Sequence, residues 1–150
     1  MSGPETVLAF DFGLKRIGIA CGDSLTHSAS ARPAAVSGSR GPDWRAIERE
    51  VRALAPARLI VGAPYNVDGS EAEMTANARA FAADLERRFA LPVHLVDERF
   101  SSLEASAALR DERASGLRRR RLVKADIDSA AAAVILRRWF AGEGERREGG

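Results

Sequence analysis

The stretch that decides the fold is VLAFDFGLKRIGIA, residues 7–20. Two apolar runs flank a short polar turn at 13–15, which is the pattern of a β-hairpin. We therefore expect one strand near 7–12 and a second, antiparallel strand near 16–22. The rest of the chain is interpreted relative to this pair.

Asp11 lies near the end of the first of these strands, among residues that should be buried. Side chains alternate between the two faces of a strand, so Asp11 shares a face with Val7 and Ala9, opposite Leu8 and Phe10. Burying a carboxylate is costly unless it is hydrogen-bonded, paired or bound to a cation. The sequence therefore predicts a partner for Asp11.

The composition is that of a single soluble domain, with 45% hydrophobic and 29% charged residues in a chain of 150. We expect residues 1–141 to form this domain and residues 142–150 to be a disordered polar tail. We expect neither a signal peptide nor a membrane span. Cys21 is the only cysteine, which excludes an internal disulfide framework and favours a reducing, cytoplasmic location. We interpret it as a small core residue.

The remaining chain alternates strands and helices. In chain order we expect an edge strand at 29–36 containing Pro33, a loop at 37–42, a helix from Asp43 to Pro56, a strand at 58–62, a helix behind the loop at 63–69, a strand at 92–98, a helix near 101–109 and a last helix at 126–140. Strand–helix–strand units require parallel pairing, whereas the opening hairpin is antiparallel. The sequence therefore predicts an α/β fold, a mixed five-stranded sheet with helices on both faces.

Three acids are candidates for a common site at one edge of this sheet. Sites in open α/β sheets form at the carboxyl ends of parallel strands, and Asp11 and Glu98 end the first and last strands, which can be neighbours. The final helix offers Asp126 and Asp128, about 200° apart around the helix, so both cannot face the sheet. Asp128 lies on the apolar side, and the alanines at 130–133 permit a close approach. Asp128 is therefore the preferred third acid and Asp126 a helix N-cap, although a contribution of Asp126 to the site stays open.

Three carboxylates without nearby histidine or cysteine describe a site for a hard cation, Mg²⁺ or Mn²⁺ rather than zinc. Two such ions can activate a water and stabilise the leaving oxygen of a phosphodiester, and two ions are expected here. Each acid also has a structural alternative. Asp11 could cap the hairpin turn, Glu98 could pair with Arg99, and Asp128 could stabilise a helix N-terminus. The two histidines are interpreted as incidental.

Positive charge is concentrated rather than abundant, since the net charge is only +2. Five basic residues with no acid among them form one run: Arg118, Arg119, Arg120, Arg121 and Lys124. Such a run is either a solvated loop or, beside a phosphate-handling site, a nucleic-acid contact. Lys15, Arg16 and Arg99 border the predicted acidic site, where they are either ordinary surface charge or contacts to flanking phosphates.

Four motifs together resemble a known family. They are DFGLKRIGIA at 11–20, VGAPYNVDGSE at 61–71, DERFSSLEA at 97–105 and DSAAAA at 128–133. In this order they are similar to the YqgF/RuvX family of compact ribonuclease-H-like nucleases, described both as Holliday junction resolvases and as pre-16S rRNA nucleases. The likeness runs from about residue 7 to residue 140. One departure is Ala63-Pro64-Tyr65, where the family commonly has Leu-Pro-Leu; Tyr65 either stacks on a base or packs on its own scaffold.

The resemblance implies a ribonuclease-H-like fold, a cytoplasmic location, and metal-dependent hydrolysis of nucleic acid by Asp11, Glu98 and Asp128. The implied role is maturation of the 5′ end of 16S rRNA, with precursor rRNA and ribosomal particles as partners; resolution of branched DNA at Holliday junctions is the alternative. Two other classes stay open: a non-catalytic RNA-binding factor of ribosome assembly, and a phosphate binder of the actin and sugar-kinase type, which needs a longer chain. Whether the protein is a monomer or a homodimer is also open, although a junction resolvase would most naturally be a symmetric dimer.

Overall fold

The computed structural model describes residues 5–13, 15–63, 75–97 and 124–142, without the side chains of 97 and 124–128. In chain order the elements are β1 Thr6–Asp11, β2 Arg16–Asp23, β3 Ser28–Gly38, β4 Gly41–Pro42, α1 Trp44–Leu54, β5 Arg58–Ala63, α2 Thr75–Phe89, β6 Val93–Asp97 and α3 Lys124–Phe140. The predicted helix near 101–109, most of the loop at 63–69 and nearly all of the tail lie outside the described residues. The domain limits therefore stay a prediction.

The strands form one mixed sheet in the order β4-β3-β2-β1-β5-β6. The pairs β1–β2 and β2–β3 are antiparallel, whereas β1–β5 and β5–β6 are parallel, which confirms the predicted combination. The prediction of a plain loop at 37–42 is wrong, because Ser37 and Gly38 pair with β4. The described part of the sheet therefore has six strands, and the predicted number of five is wrong. The tight return needs the positive φ of 96° at Gly41, a conformation that glycine adopts without strain.

The helices cover both faces of the sheet, and alternation along β1 divides the core between them. Leu8 and Phe10 pack in the cluster that α1 and α2 cover, while Val7 and Ala9 pack beneath α3. All four side chains are fully buried. Burying a phenylalanine such as Phe10 contributes roughly 1.5–3 kcal/mol, so apolar burial on both faces explains why β1 is a central strand.

The first helix begins and ends as its sequence predicts. The Asp43 side chain caps α1 by accepting a hydrogen bond from the amide of Ala46. Ala55 takes a left-handed conformation after the last turn, and Pro56 follows. In the described part of the chain, no helix combines the length and apolar character that a bilayer crossing requires.

Proline in β3 occupies a position where a missing amide hydrogen does little harm. Between the pairs Ile17–Ala35 and Ile19–Arg32 the register shifts, so that Pro33 and the residue after it oppose one residue of β2. Extra residues of this kind form a β-bulge, and prolines within sheets are confined to bulges and edges. This part of β3 lies outside its short pairing with β4, so the predicted edge position of Pro33 is confirmed.

Candidate active site

Asp11 is the last residue of the central strand β1 and its side chain is half-buried. It lies in register with Gly18 on β2 and with Gly62 on β5. Residues in register on neighbouring strands point to the same face, so both positions beside Asp11 lack a side chain. On the face that α3 covers, the strand neighbours of Asp11 are therefore two buried glycines.

The strand that precedes Glu98 is two positions away from β1. The prediction that the two acid-bearing strands can be neighbours is wrong here, because β5 lies between β1 and β6. Val96 is in register with Gly62 and packs with Val7 beneath α3. The side chain of Val96, near the end of β6, therefore lies on the same face of the sheet as that of Asp11. Glu98 itself lies outside the described residues. Two interstrand spacings separate β1 from β6, roughly 10 Å, and Gly62 of β5 lies between them in register.

A serine fixes the start of α3 against the sheet. Ser129 is buried; its hydroxyl accepts a hydrogen bond from the amide of Ile19 at 3.3 Å and donates one to the carbonyl of Arg32 at 2.6 Å. Ile19 and Arg32 face each other across β2 and β3 beside the bulge. The Ser129 hydroxyl therefore links α3 to both strands, to β2 through the Ile19 amide and to β3 through the Arg32 carbonyl.

Helix α3 runs along β2 at close range. A Cβ at Gly22 would lie 2.8 Å from Leu136 Cδ2 and 3.0 Å from Phe140 Cε2. Together with the Ser129 contact, this places the amino end of α3 at the end of the sheet where Asp11 pairs with Gly18. The small side chains of α3 at 131–133 are buried, as predicted for a closely packed helix.

The third acid is placed by its backbone alone. Asp128 directly precedes Ser129, at the end of α3 nearest Asp11. The side chains of Asp126 and Asp128 are outside the described set, so the choice between them stays a prediction. Within residues 5–13, 15–63, 75–96 and 129–142, no three histidine, cysteine or acidic side chains form a metal-binding group. Of the predicted ligands, only Asp11 has a described side chain.

The basic residues around Asp11 belong to the β1–β2 turn. Lys15 is exposed and Arg16 is half-buried at the start of β2. The turn requires Gly13, because a Cβ there would lie 2.6 Å from the carbonyl oxygen of Arg16. The remaining predicted contacts are not described: Arg99, Arg118, Arg119, Arg120, Arg121 and Tyr65 lie outside the described residues, and of Lys124 only the backbone is placed.

The cysteine and the histidines lie away from Asp11. Cys21 is half-buried and packs against the cluster beneath α1 and α2, in agreement with a core role. His27, in the β2–β3 turn at the other end of the sheet, stacks on Phe140 with ring centroids 5.0 Å apart. His94 packs against Trp139 on the amino-terminal half of β6.

The sequence interpretation missed the roles of Gly18, Gly62 and Ser129. The two glycines are significant only because the strand register places them beside Asp11. The hairpin pattern carried a signal for Gly18, whereas a single sequence does not give the register of Gly62, because β1 and β5 lie far apart in the chain. For Ser129 a signal was present, since a polar residue stands on the apolar side of α3 beside the alanines. Such a residue is expected to hydrogen-bond to the sheet.

Comparison with known proteins gives a family. The model of the RuvX family, described as Holliday junction resolvase, matches residues 5–142. A protein of Legionella pneumophila (strain Philadelphia 1) named "Putative pre-16S rRNA nuclease" is 46% identical over 133 residues, which cover 89% of this chain and 93% of that protein. A relative of the same name from Citrobacter koseri is 45% identical over 140 residues, covering 93% and 97%.

Solved structures agree on the fold. RuvC of Thermus thermophilus in complex with a Holliday junction substrate has a TM-score of 0.52 at 16% identity, covering 92% of this chain and 94% of that one. A second structure of Thermus thermophilus RuvC has a TM-score of 0.53 at 14% identity, covering 93% and 98%. The mixed sheet is thus the ribonuclease-H-like fold that the sequence motifs implied. The chain belongs to the RuvX family, whose nucleases hydrolyse phosphodiester bonds.

Proposed function

We propose that this chain is a metal-dependent nuclease that matures the 5′ end of precursor 16S rRNA in the cytoplasm, where it meets ribosomal particles. The observation that carries the proposal is the half-buried carboxylate of Asp11, at the carboxyl end of the central strand between Gly18 and Gly62. Relatives that are 45–46% identical over most of the chain and named for this RNA support the substrate.

In this proposal the acids bind the metal ions and the basic residues bind the nucleic acid. Asp11, Glu98 and Asp128 would hold two Mg²⁺ or Mn²⁺ ions, which when bound supply an activated water and offset the charge on the leaving oxygen. Gly18 and Gly62 put no side chain of their own beside Asp11. Ser129 holds the start of α3, and with it the backbone of Asp128, at a fixed place on the sheet.

The basic residues bind the backbone of the substrate. Lys15 and Arg16, in the turn that follows Asp11, would hold the phosphates on either side of the cleaved bond. Arg99 and the run Arg118, Arg119, Arg120, Arg121 and Lys124 would contact phosphates farther along the strand. Binding of this kind tolerates any base sequence and weakens with salt.

The test compares substrates and metals directly. Purified protein is incubated with a precursor 16S rRNA fragment and with a four-way DNA junction, in Mg²⁺, Mn²⁺ or EDTA. We expect cleavage of the RNA in either metal, none in EDTA, and none in Glu98→Gln or Asp128→Asn variants that remain folded. Metal-independent cleavage, or undiminished cleavage by both variants, contradicts the proposal.

Junction resolution is the second candidate, favoured by the description of the matching family and by the fold shared with RuvC. It predicts cleavage of the four-way junction and a symmetric dimer in light scattering, because two strands must be cut at matched positions. RNA cleavage by a monomer excludes it. Cleavage of neither substrate leaves a non-catalytic RNA-binding assembly factor as the better interpretation.

A further inference from the structure

A second concave surface lies at the same end of the sheet as Asp11, on the opposite face. It is a cleft of about 270 Å³ between the β3–β4 turn and helix α2. Phe12 forms part of its lining, together with Phe81 and Ala80 of α2. Because Phe12 directly follows Asp11, the cleft and the carboxylate are separated only by the thickness of the sheet.

The cleft lies at the end of an aromatic stack. The ring of Phe12 packs on Phe81 with centroids 5.1 Å apart, and Phe81 stacks on Trp44 at 5.6 Å with 26° between the planes. The guanidinium of Arg88 covers Trp44 at 4.0 Å. This stack holds the ring of Phe12 firmly, and Phe12 itself is only half-buried. An aromatic ring fixed in this way offers a planar ligand a preformed surface.

The walls of the cleft add polar groups to this apolar surface. Ser37, which is 7% exposed, comes from the end of β3 and Ser39 from the β3–β4 turn. Asn77 and Asp84 come from α2, and the Asp84 carboxylate is paired with Arg87. The amide of Ser37 donates a hydrogen bond to the carbonyl of Lys15 at 2.8 Å, so one wall is tied to the basic turn that follows Asp11. An apolar aromatic surface edged by hydrogen-bond donors and acceptors matches a nucleobase better than a purely aliphatic ligand.

We propose that this cleft binds one unstacked base of a single-stranded nucleic acid whose adjoining phosphate lies at Asp11. The inference rests on the proposed function for the class of ligand and deepens it by adding a preference for unpaired substrate. The small volume admits a single base, and stacking on Phe12 makes the site tolerant of base identity. A strand crossing the carboxyl ends of the sheet from one face to the other would reach both places.

The experiment blocks the cleft with a larger side chain at an exposed position of α2. Ala80 lines the cleft on the exposed side of α2, and Ala83 is equally exposed on the same helix but does not line it. Ala80→Phe blocks the cleft without touching the core, Ala80→Leu repeats the block with a good helix former, and Ala83→Phe is the matched control. Binding is measured in EDTA by fluorescence anisotropy, with a labelled single-stranded oligoribonucleotide and an abasic strand of the same length.

We expect the wild-type protein and Ala83→Phe to bind the strand with bases roughly tenfold more tightly than the abasic strand, since each stacked base contributes that order of affinity. We expect both Ala80 variants to bind the two strands equally. Equal binding of both strands by the wild type, no binding of either, or an unchanged preference in the Ala80 variants overturns the proposal. Because EDTA prevents metal-dependent cleavage, this result is independent of whether the protein proves to be a nuclease.

Discussion

At the scale of single residues, the position of a side chain in the sheet explains its chemistry better than its type does. Asp11 was predicted from alternation alone, because it continues the buried face of Val7 and Ala9. Its neighbours in register on the adjacent strands are Gly18 and Gly62, which carry no side chain. The site thus combines Asp11, which the local pattern reveals, with Gly18, which the hairpin pairs with it, and Gly62, which only long-range pairing makes significant.

Ser129 gives the first prediction at this scale. Its hydroxyl joins the Ile19 amide to the Arg32 carbonyl, so Ser129→Ala leaves two backbone groups unsatisfied in a buried place. We expect a loss of about 1–3 kcal/mol in the free energy of unfolding, measured by urea denaturation.

Ser30→Ala provides the control for Ser129, because Ser30 is exposed on β3. We expect it to change stability by less than about 0.5 kcal/mol. Equal effects of the two substitutions would show that the hydroxyl of Ser129 does not anchor α3.

At the scale of elements, local patterns predicted most strands and helices, whereas they did not predict which strands are neighbours in the sheet. The hairpin, α1 and β5 follow from alternation, capping and apolar runs. The two-residue strand β4 depends on a turn with Gly41 at positive φ and on the backbone of β3, and the sequence pattern of residues 37–42 resembles an ordinary loop. The place of β5 between β1 and β6 was missed, since βαβ rules fix handedness and direction but not strand order.

The approach of α3 to β2 is tested at Gly22. A Cβ there would lie 2.1 Å from the carbonyl oxygen of Ser28, in addition to its contacts with Leu136 and Phe140. We therefore expect Gly22→Ala to lower the free energy of unfolding by about 1–3 kcal/mol in urea denaturation, because the backbone of β3 must move.

Gly38 supplies the matched control, because a Cβ there meets no atom of the described residues within 4 Å. Gly38→Ala should be neutral or slightly stabilising, by up to about 1 kcal/mol, since alanine restricts the unfolded chain. A neutral Gly22→Ala would contradict the close packing of helix and sheet.

An ion pair between α1 and β3 has a defined pH dependence. Arg32 Nε donates to Glu50 Oε1 at 2.7 Å, and this hydrogen bond raises the pKa of the Arg32 guanidinium above its ordinary value. A raised pKa means that the contribution to stability is fully present below the unfolded-state pKa and is lost only as the pH rises through the folded-state pKa, far above neutral pH. We expect Arg32→Met to cost up to about 1 kcal/mol, equally at pH 7 and pH 9, in denaturant titrations. A cost of Arg32→Met that is smaller at pH 9 than at pH 7 would contradict this assignment.

At the scale of the whole molecule, two functional features lie at the same end of the sheet but on opposite faces. The α3 face carries Asp11, and the opposite face carries the aromatic cleft at Phe12. The family and fold could be predicted from four motifs in order, and both are confirmed. The meeting of Asp11 with Glu98 and Asp128 stays a prediction, because it depends on side chains outside the described part of the chain.

The basic run is tested by its effect on salt dependence. We expect replacement of Arg118, Arg119, Arg120 and Arg121 by alanine to weaken binding of single-stranded RNA and to flatten the plot of log K against log salt by up to about 3 units, because fewer counterions are released. The measurement is anisotropy at several salt concentrations. An unchanged slope would mean that this run is merely solvated.

The most direct test of the central claim is single-turnover cleavage of a precursor 16S rRNA fragment in Mg²⁺ by the wild-type protein, Asp11→Asn and Asp43→Asn. Asp43 is the matched control, because asparagine caps a helix as well as aspartate does. We predict that Asp43→Asn cleaves at the wild-type rate, while folded Asp11→Asn loses more than about a hundredfold, since a direct metal ligand should be worth more than its supporting partners. Equal rates for all three proteins would contradict the assignment of Asp11 to the catalytic site.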